Sequence, residues 1–228
     1  MKAVLNGKEM KEFDARSIKG YGIPSLVLME RAAMAVAEKA EEILEKEEAG
    51  TVWSVCGFGN NGAGGVAAAR MLFLKGYDVK IVFPQRDGKG SEELEAQLNV
   101  VKRLGIPVMT AEDLPDLVEK KIPAQPFRKA GERKRNCRGV ILDAIFGIGL
   151  SRNVEGAYRK LIRWINGQED MKVIAVDVPS GISSDNGSVM GDAVRADVTV
   201  TFGEKKLGQV LFPGRELCGH LLVKDVGF

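Results

Sequence analysis

Apolar residues fall into two alternating patterns along most of the chain. Short apolar runs predict β-strands at residues 51–56, 78–83, 106–109, 139–143, 172–176, 197–202 and 220–224. Apolar residues spaced three and four apart predict helices at residues 25–47, 62–75, 91–104, 111–120 and 155–166. Apolar strands that alternate with helices are typical of a mainly parallel sheet covered on both faces. The pattern therefore predicts an α/β fold.

Three segments depart from this alternation. Residues 1–22 are mixed and polar, and only Asp14 and Ser17 stand out there, as candidate helix caps. The last two predicted strands have no long helix between them, so an antiparallel or irregular edge is left open. Residues 120–138 are rich in Lys and Arg, which allows a nucleic-acid surface. We favour a solvated insertion loop, because Phe127 is the only aromatic residue among them.

Composition narrows the class of protein. The chain has 228 residues with 45% hydrophobic and 28% charged, and we predict a single domain over residues 1–228. A formal net charge of +2 argues for neither nucleic acid nor a membrane surface. Three widely spaced cysteines and a single histidine argue against a disulfide framework and a zinc site. Without a long apolar run or an apolar leader, we predict a soluble cytoplasmic protein.

A glycine-rich loop at residues 57–65 joins the first predicted strand to a helix. This arrangement presents backbone N–H groups to a phosphate, and the loop also carries the amides of Asn60 and Asn61. Gly57, Gly59 and Gly62 match the dinucleotide pattern GxGxxG in form. No acidic residue stands at the tip of the next strand to bind a ribose, so the match is weak.

Two further strands lead directly into polar loops. Asp143 follows one apolar run, and Asp177 follows another and precedes Ser180. In a parallel sheet all three loops open into one cleft, where amide, carboxylate and hydroxyl oxygens suit a hard cation such as K+. A helix-capping role for Asp143 and a turn role for Asp177 remain open. His220, the only histidine, is remote in sequence, so a serine-hydrolase triad is improbable and a structural role is favoured.

Several motifs in order closely resemble the NAD(P)H-hydrate epimerase family, also called the YjeF N-terminal domain. The resemblance covers essentially the whole chain, and it is carried by these motifs: YGIPSLVLME at 21–30, CGFGNNG at 56–62, DAIFGIG at 143–149, VDVPSG at 176–181, AVRADVTVTFG at 193–203, Lys206-x-Gly208, and Pro213-Gly214.

The resemblance implies a Rossmann-like three-layer α/β/α fold, typically in a homodimer. It implies that the enzyme interconverts the R and S forms of NADHX or NADPHX, which are NADH and NADPH hydrated at C6 of the nicotinamide ring. A partner NAD(P)HX dehydratase, fused in some members, then repairs the S form.

The resemblance also implies site residues. Asn61, Asp143 and Ser180 would bind K+, and Asp177 would contact the substrate and act in catalysis. The substrate-binding residues would be these: Asn60, Asn61, Gly62, Ala63, Gly64, Gly147, Ile148, Gly149, Leu150, Ser151, Arg152, Asn153 and Asp177. Epimerisation requires the C6 hydroxyl to leave and to return on the other face of the ring. A carboxyl group such as that of Asp177 would protonate the leaving hydroxyl and assist the addition of water.

The chain departs from the family pattern at two positions. Gly64 stands where the family loop carries an aspartate, and Arg31 stands where the opening motif carries an asparagine. Arg31 either faces a phosphate or faces solvent. These departures leave open an alternative function, in which a catalytically impaired member binds a nucleotide-like ligand or a protein.

Overall fold

A computed structural model describes residues 3–85, 89–114 and 137–227. Its strands and helices are, in chain order, β1 (Val4–Leu5), α1 (Gly7–Ala15), α2 (Ser25–Lys46), β2 (Thr51–Cys56), α3 (Asn60–Leu74), β3 (Asp78–Phe83), α4 (Glu92–Leu104), β4 (Val108–Thr110), β5 (Gly139–Ala144), α5 (Gly156–Gly167), β6 (Met171–Val176), β7 (Val198–Phe202), β8 (Lys205–Lys206), α6 (Gly214–Leu217) and β9 (His220–Lys224). A π-helical turn, Arg16–Gly20, extends α1.

The central sheet has seven strands in the order β4-β3-β2-β5-β6-β7-β9. Every neighbouring pair in it is parallel. This confirms the predicted α/β class and the mainly parallel sheet. The alternative of an antiparallel edge is wrong, because β7 pairs β9 in parallel with Val198 opposite His220. The edge strand β9 is joined to its neighbour β7 by a crossover that contains β8 and the short helix α6.

Two apolar clusters cover the two faces of the sheet. On one face, α2, α3 and α4 pack on alternate strand residues such as Val52 and Leu142. On the other face, α5 packs on the intervening residues such as Val55 and Ile141. This alternation produces the three-layer α/β/α architecture that the resemblance implied. Helix α3 is buried from Gly62 to Ala69, because it contacts the sheet and both neighbouring helices.

The N-terminal helix α1 is an element that the sequence pattern did not predict. It begins with a capping box, in which the Asn6 side chain accepts a hydrogen bond from the Glu9 amide at 2.9 Å. The Glu9 carboxylate accepts one from the Asn6 amide at 2.8 Å. Asp14 and Ser17, predicted as helix caps, cap nothing, since Asp14 lies in the last turn of α1 and Ser17 in the π-helical turn.

The predicted helix at 111–120 is wrong at its start. Ala111–Asp113 form a 3₁₀ turn, and Leu114 is already extended with φ −75° and ψ 131°. Residues 115–120 and most of the basic segment 120–138 lie outside the described residues. Among the helices of the described ranges, none combines the length and the apolar character needed to cross a membrane.

Candidate functional site

The strand order of the sheet reverses between β2 and β5. Strands β3 and β4 lie on one side of β2, and β5 and the later strands lie on its other side. The loops that follow these two strands diverge, which opens a crevice at the carboxyl edge of the sheet. The Gly57 amide donates a hydrogen bond to the Ala144 carbonyl at 3.0 Å and ties the loops together at their base.

Two glycines of the loop are required by close packing. A Cβ atom on Gly57 would lie 2.1 Å from the Ile145 carbonyl oxygen. A Cβ atom on Gly62 would lie 1.8 Å from the Gly57 carbonyl oxygen. The loop is therefore tight enough for α3 to start at Asn60, two residues earlier than predicted. Asn60 and Asn61 consequently lie in the first turn of α3 rather than before it.

A cleft of about 630 Å³ lies above this crevice. Eight of the predicted substrate-binding residues line it: Asn60, Asn61, Gly64, Gly147, Ile148, Gly149, Leu150 and Asp177. The remaining predicted residues are not part of this lining. Gly62 and Ala63 are buried inside α3, and Ser151, Arg152 and Asn153 are exposed beyond the end of the Gly147 loop.

Asp177 directly follows β6, and its backbone is held in the left-handed region with φ 68°. Such a conformation is costly for a residue with a side chain, so the surroundings must enforce it. The Asp177 amide donates to the Val200 carbonyl at 2.8 Å. The Gln209 side chain donates to the Asp177 carbonyl at 2.6 Å. These two contacts fix the direction in which the carboxylate points.

The Asp177 carboxylate is paired with a buried lysine that sequence analysis did not assign to the site. Lys206 Nζ lies 2.6 Å from Asp177 Oδ1, and the Lys206 side chain is only 1% exposed. The ammonium group also donates to Thr201 Oγ1 at 2.8 Å and to the Phe202 carbonyl at 2.9 Å. Thr201 in turn donates to Asp177 Oδ1 at 3.0 Å. The ion pair compensates a buried charge on each side and anchors one carboxylate oxygen.

The other carboxylate oxygen faces the loop after β5. A Cβ atom on Gly147 would lie 3.3 Å from Asp177 Oδ2 and 3.2 Å from Asn61 Oδ1. Both polar side chains therefore converge on the backbone of Gly147, on the floor of the cleft. The buried amide nitrogen of Asn61 has no hydrogen-bond partner among the described residues. Buried polar groups are normally paired, so the Asn61 amide is available to a ligand.

Asp143 and Ser180 form a polar cluster beneath the cleft. Both residues are fully buried. The Ser180 hydroxyl donates to Asp143 Oδ1 at 2.6 Å, and the Ser180 amide donates to Asp143 Oδ2 at 2.8 Å. The Phe146 amide donates to the Ser180 hydroxyl at 2.9 Å, which holds the loop after β5 against the loop after β6.

The chemistry of this cluster fits a cation. Burial raises the pKa of Asp143 to about 6, although the hydrogen bonds from Ser180 lower it. In the part of the chain that the structure describes, no basic side chain forms an ion pair with Asp143. No group of three His, Cys, Asp or Glu side chains within the described ranges is arranged to hold a metal. A cation here would therefore depend on one carboxylate and on hydroxyl, amide and carbonyl oxygens, which suits K+.

A second carboxyl group, that of Asp14 on α1, also lines the cleft. The pKa of Asp14 is raised to about 6, mainly by burial and also by the nearby Asp177 carboxylate, against the lowering effect of Lys206. Sequence analysis considered Asp14 only as a helix cap. The pattern Asn6-x-x-Glu9 is a capping-box signal that would have predicted α1. Nothing in the local sequence indicates that α1 packs over the cleft.

The departures at Gly64 and Arg31 have different surroundings. Gly64 lines the cleft, and a Cβ atom there would meet only Val176 Cγ1, at 4.0 Å. The position therefore has room for a side chain. Arg31 is exposed and is absent from the cleft lining, with its guanidinium group close to Gly227. Of the two interpretations of Arg31, the structure supports the solvent-facing one.

Glu30 of the opening motif has a structural role in the helical layer. Arg70 on α3 donates to both Glu30 carboxylate oxygens, at 2.8 and 2.6 Å. Gln97 on α4 donates to Glu30 Oε1 at 2.6 Å. The three side chains connect α2, α3 and α4 and so hold α3, whose first turn forms one wall of the cleft.

Comparisons with known proteins agree with this geometry. The sequence profile of the family described as YjeF-related protein N-terminus matches residues 25–208. A protein of Limosilactobacillus reuteri named NAD(P)H-hydrate epimerase is 40% identical, over 98% of this chain and 96% of the relative. One of the same name from Oenococcus oeni is 37% identical, over 98% of this chain and 96% of the relative.

A longer relative and a solved structure complete the comparison. The bifunctional NAD(P)H-hydrate repair enzyme Nnr of Thermofilum pendens is 38% identical over 99% of this chain, but the chain spans only 40% of that relative. The crystal structure of yeast ynu0 superimposes with a TM-score of 0.70 at 23% identity, covering 91% of this chain and 83% of the yeast chain. That likeness supports the fold, and the sequence relatives establish the family. The chain belongs to the family of YjeF-related protein N-termini, also known as NAD(P)H-hydrate epimerases.

Proposed function

We propose that this protein is an NAD(P)H-hydrate epimerase, which interconverts the R and S forms of NADHX and NADPHX in the repair of damaged nicotinamide nucleotides. The observation that best supports this function is that Asp177 Oδ2 and the Asn61 amide converge on Gly147, in a cleft at the switch point of the sheet. The names of the stand-alone relatives support the same activity. They favour it over a catalytically impaired binding protein.

The substrate would lie along the edge of the cleft between the loops after β2 and β5. The first turn of α3 presents backbone N–H groups near Asn60, which suits the pyrophosphate of a dinucleotide. The backbone of residues 147–150 lines the opposite wall and offers close contact to a planar ring. Phe146 and Tyr158, whose ring centroids are 4.8 Å apart, add an aromatic surface at the same side.

Asp177 is the residue that we assign to the reacting carbon. Its Oδ1 atom is occupied by Lys206 and Thr201, so Oδ2 is the atom left to face a ligand. A carboxylate held this rigidly keeps its reactive oxygen in one position, which is what proton transfer at a defined face of a ring requires. The strained backbone of Asp177 fits this role, since strain is often stored at functional sites.

We also propose that Asn61, Asp143 and Ser180 hold a K+ ion. The support is the buried Asp143 carboxylate, which has no basic partner in the described residues and is hydrogen-bonded to Ser180. Asn61 would contribute its amide oxygen, Oδ1, which lies by the backbone of Gly147. When bound, K+ would supply the positive charge that neutralises Asp143. The chain's own residues would then position the substrate. The Phe146 amide is hydrogen-bonded to the Ser180 hydroxyl, and the next residue, Gly147, lies in the cleft wall.

The remaining expectations are also proposals. A homodimer, a cytoplasmic location and a functional partnership with an NAD(P)HX dehydratase follow from the family resemblance. The bifunctional relative of Thermofilum pendens, in which the matching part is 40% of the length, supports a link with a second repair activity. Cys137 and Arg138 are the only described part of the basic segment 120–138. That the segment is a solvated insertion loop rather than a nucleic-acid surface therefore stays a prediction.

An epimerisation assay tests the proposed function. R-NADHX is mixed with this protein and an S-specific dehydratase, in buffers with K+ or with a large organic cation in its place. We expect the R form to be consumed faster than by spontaneous epimerisation, and faster still with K+. Consumption at the spontaneous rate, with nucleotide binding retained, would instead identify a binding protein.

A further inference from the structure

Two carboxyl groups, rather than one, face the same cleft. Asp14 from α1 and Asp177 from the end of β6 both line it, and Lys206 lies at its base. Lys206 is committed to Asp177 through the 2.6 Å ion pair, which occupies one of the two Asp177 carboxylate oxygens. No hydrogen bond or ion pair joins the carboxyl group of Asp14 to another described residue, so this group is free to meet a ligand.

We propose that Asp14 is a second catalytic residue, the general acid that protonates the departing C6 hydroxyl, while Asp177 Oδ2 is the base that accepts a proton from the returning water. The assignment rests on the proposed epimerase function and divides between two residues the proton transfers that sequence analysis gave to Asp177 alone. A carboxylate locked to an ammonium group is a poor proton donor. The unpaired, partly buried carboxyl group is the better one.

The bonds and charges balance in this scheme. Asp14 gives its proton to the C6 hydroxyl, and the C6–O electron pair leaves with the resulting water molecule. The lone pair of ring nitrogen N1 forms the C6=N1 bond of an iminium ion. Water then adds to C6 from the other face, that pair returns to N1, and Asp177 takes the released proton. Asp177 then releases this proton to solvent and Asp14 takes one up from solvent, which restores both groups for the next turnover. The reverse reaction uses the same two carboxyl groups with the roles exchanged, and no oxidant or reductant is needed.

The surroundings of Asp14 raise the pKa of its carboxyl group, so that it keeps its proton to a higher pH than an ordinary aspartate. Burial and the Asp177 carboxylate raise the pKa of Asp14 to about 6, against the lowering effect of Lys206. Lys11, one turn earlier on α1, is the other basic side chain in the cleft lining. As pH rises above about 6, Asp14 loses its proton. We therefore expect kcat/KM to fall about tenfold per pH unit in that range.

The experiment compares wild-type protein with Asp14→Asn and Asp14→Glu. The control is Glu12→Gln, which makes the same carboxylate-to-amide change on α1 at a side chain that is 64% exposed. We measure kcat/KM for R-NADHX between about pH 5 and pH 8 and subtract the spontaneous rate. We expect kcat/KM of Asp14→Asn to be about 10²- to 10⁴-fold lower than that of wild type, and its decline above pH 6 to disappear. Asp14→Glu should recover part of the rate, and Glu12→Gln should match wild type.

The outcomes separate this inference from the proposed function. A wild-type protein no faster than the spontaneous reaction overturns the proposed function and the role of Asp14 with it. If the wild-type protein is active and Asp14→Asn has the same kcat/KM, or shows the same decline above pH 6, only the role of Asp14 is overturned.

A second measurement does not depend on turnover. Carboxyl ¹³C NMR of the folded protein should show that the pKa of Asp14 falls in Asp177→Asn, because a neighbouring negative charge is lost while Lys206 keeps its positive charge. An unchanged pKa would show that the two carboxyl groups are too far apart to share a substrate.

Discussion

Asp143, near the end of β5, and Asp177, directly after β6, lie at the same edge of the sheet on neighbouring parallel strands, yet their carboxylates are compensated differently. Asp177 has its own cation, the buried Lys206, at 2.6 Å. Asp143 is fully buried with hydrogen bonds from Ser180 but with no ion pair among the described residues. A buried charge is costly unless it is paired. The difference is that the Asp177 charge is compensated by a lysine of the chain itself, whereas the Asp143 cluster is where we propose that K+ supplies the positive charge.

The largest effect is expected from Lys206→Met, which removes the cation from the Asp177 pair. Leaving one member of a buried pair alone costs about 3–5 kcal/mol in the free energy of unfolding. Epimerase activity should fall by at least about 10²-fold, since Asp177 loses its anchor. Urea unfolding and the coupled assay measure the two effects.

Two further variants sharpen this prediction. Lys205→Met changes the adjacent lysine, which is only partly buried, and should alter stability by less than about 0.5 kcal/mol. The double variant Asp177→Asn/Lys206→Met removes both charges, so it should be more stable than Lys206→Met and yet remain inactive. A double variant as unstable as the single one would show that Lys206 acts through packing rather than through its charge.

A smaller effect is expected from Ser180→Ala in the Asp143 cluster. The lost hydrogen bond to a carboxylate is worth about 1.5–3 kcal/mol. If K+ binds here, it should raise the Tm of the wild-type protein in proportion to its binding, and Ser180→Ala should abolish that rise. Thermal unfolding in potassium and in tetramethylammonium chloride provides the measurement.

The matched control for this cluster is Ser183→Ala. Ser183 is also buried on the loop after β6, but its hydroxyl accepts a hydrogen bond from the Asp185 amide at 3.3 Å and takes no part in the Asp143 cluster. It should keep the K+-dependent rise in Tm. Equal Tm values in the two salts for wild-type protein would contradict the proposed cation site and leave the Asp177 pair unaffected.

The smallest effect is expected from Gly147→Ala, at the point where the side chains of Asn61 and Asp177 approach the same backbone. The added methyl group would lie 3.2 Å from Asn61 Oδ1 and 3.3 Å from Asp177 Oδ2, so both side chains must shift by a few tenths of an ångström. We expect a loss of roughly tenfold in kcat/KM with little change in stability. In Gly149→Ala the added methyl group has no atom within 4 Å, so kcat/KM should fall by less. Equal losses in the two variants would separate Asn61 and Asp177 from the reacting centre.

Much of the fold was predictable because each buried parallel strand is an unbroken apolar run. The predicted strand 51–56 and the observed β2 coincide, and the other predicted strands of the sheet differ from the observed ones by at most two residues at either end. Helix α1 was missed since its first turn is polar and its apolar residues, Met10 and Phe13, are few. The parallel pairing of β9 was left open, because a crossover without a long helix does not reveal its direction.

The candidate site divides in the same way. Asn61, Asp143, Asp177 and Ser180 were predicted, because each follows an apolar strand within a few residues and parallel topology brings strand ends together. Their proposed roles as ligands and catalyst remain predictions for the experiments above. Lys206 was noticed only as part of a motif. Its ammonium group reaches Asp177 because β7 and the turn after it carry Lys206 back under the cleft.

The sequence by itself determined the order of strands and helices, the tight glycine loop, and the polar residues placed at strand ends. These depend on local spacing, which the chain carries directly. Only the tertiary structure decided that Asp14, 163 positions before Asp177, faces the same cleft, that Lys206 is buried against Asp177, and that Asp143 lacks such a partner among the described residues. Charge pairing and burial arise from long-range packing, so no local pattern specifies which carboxylate receives an internal cation.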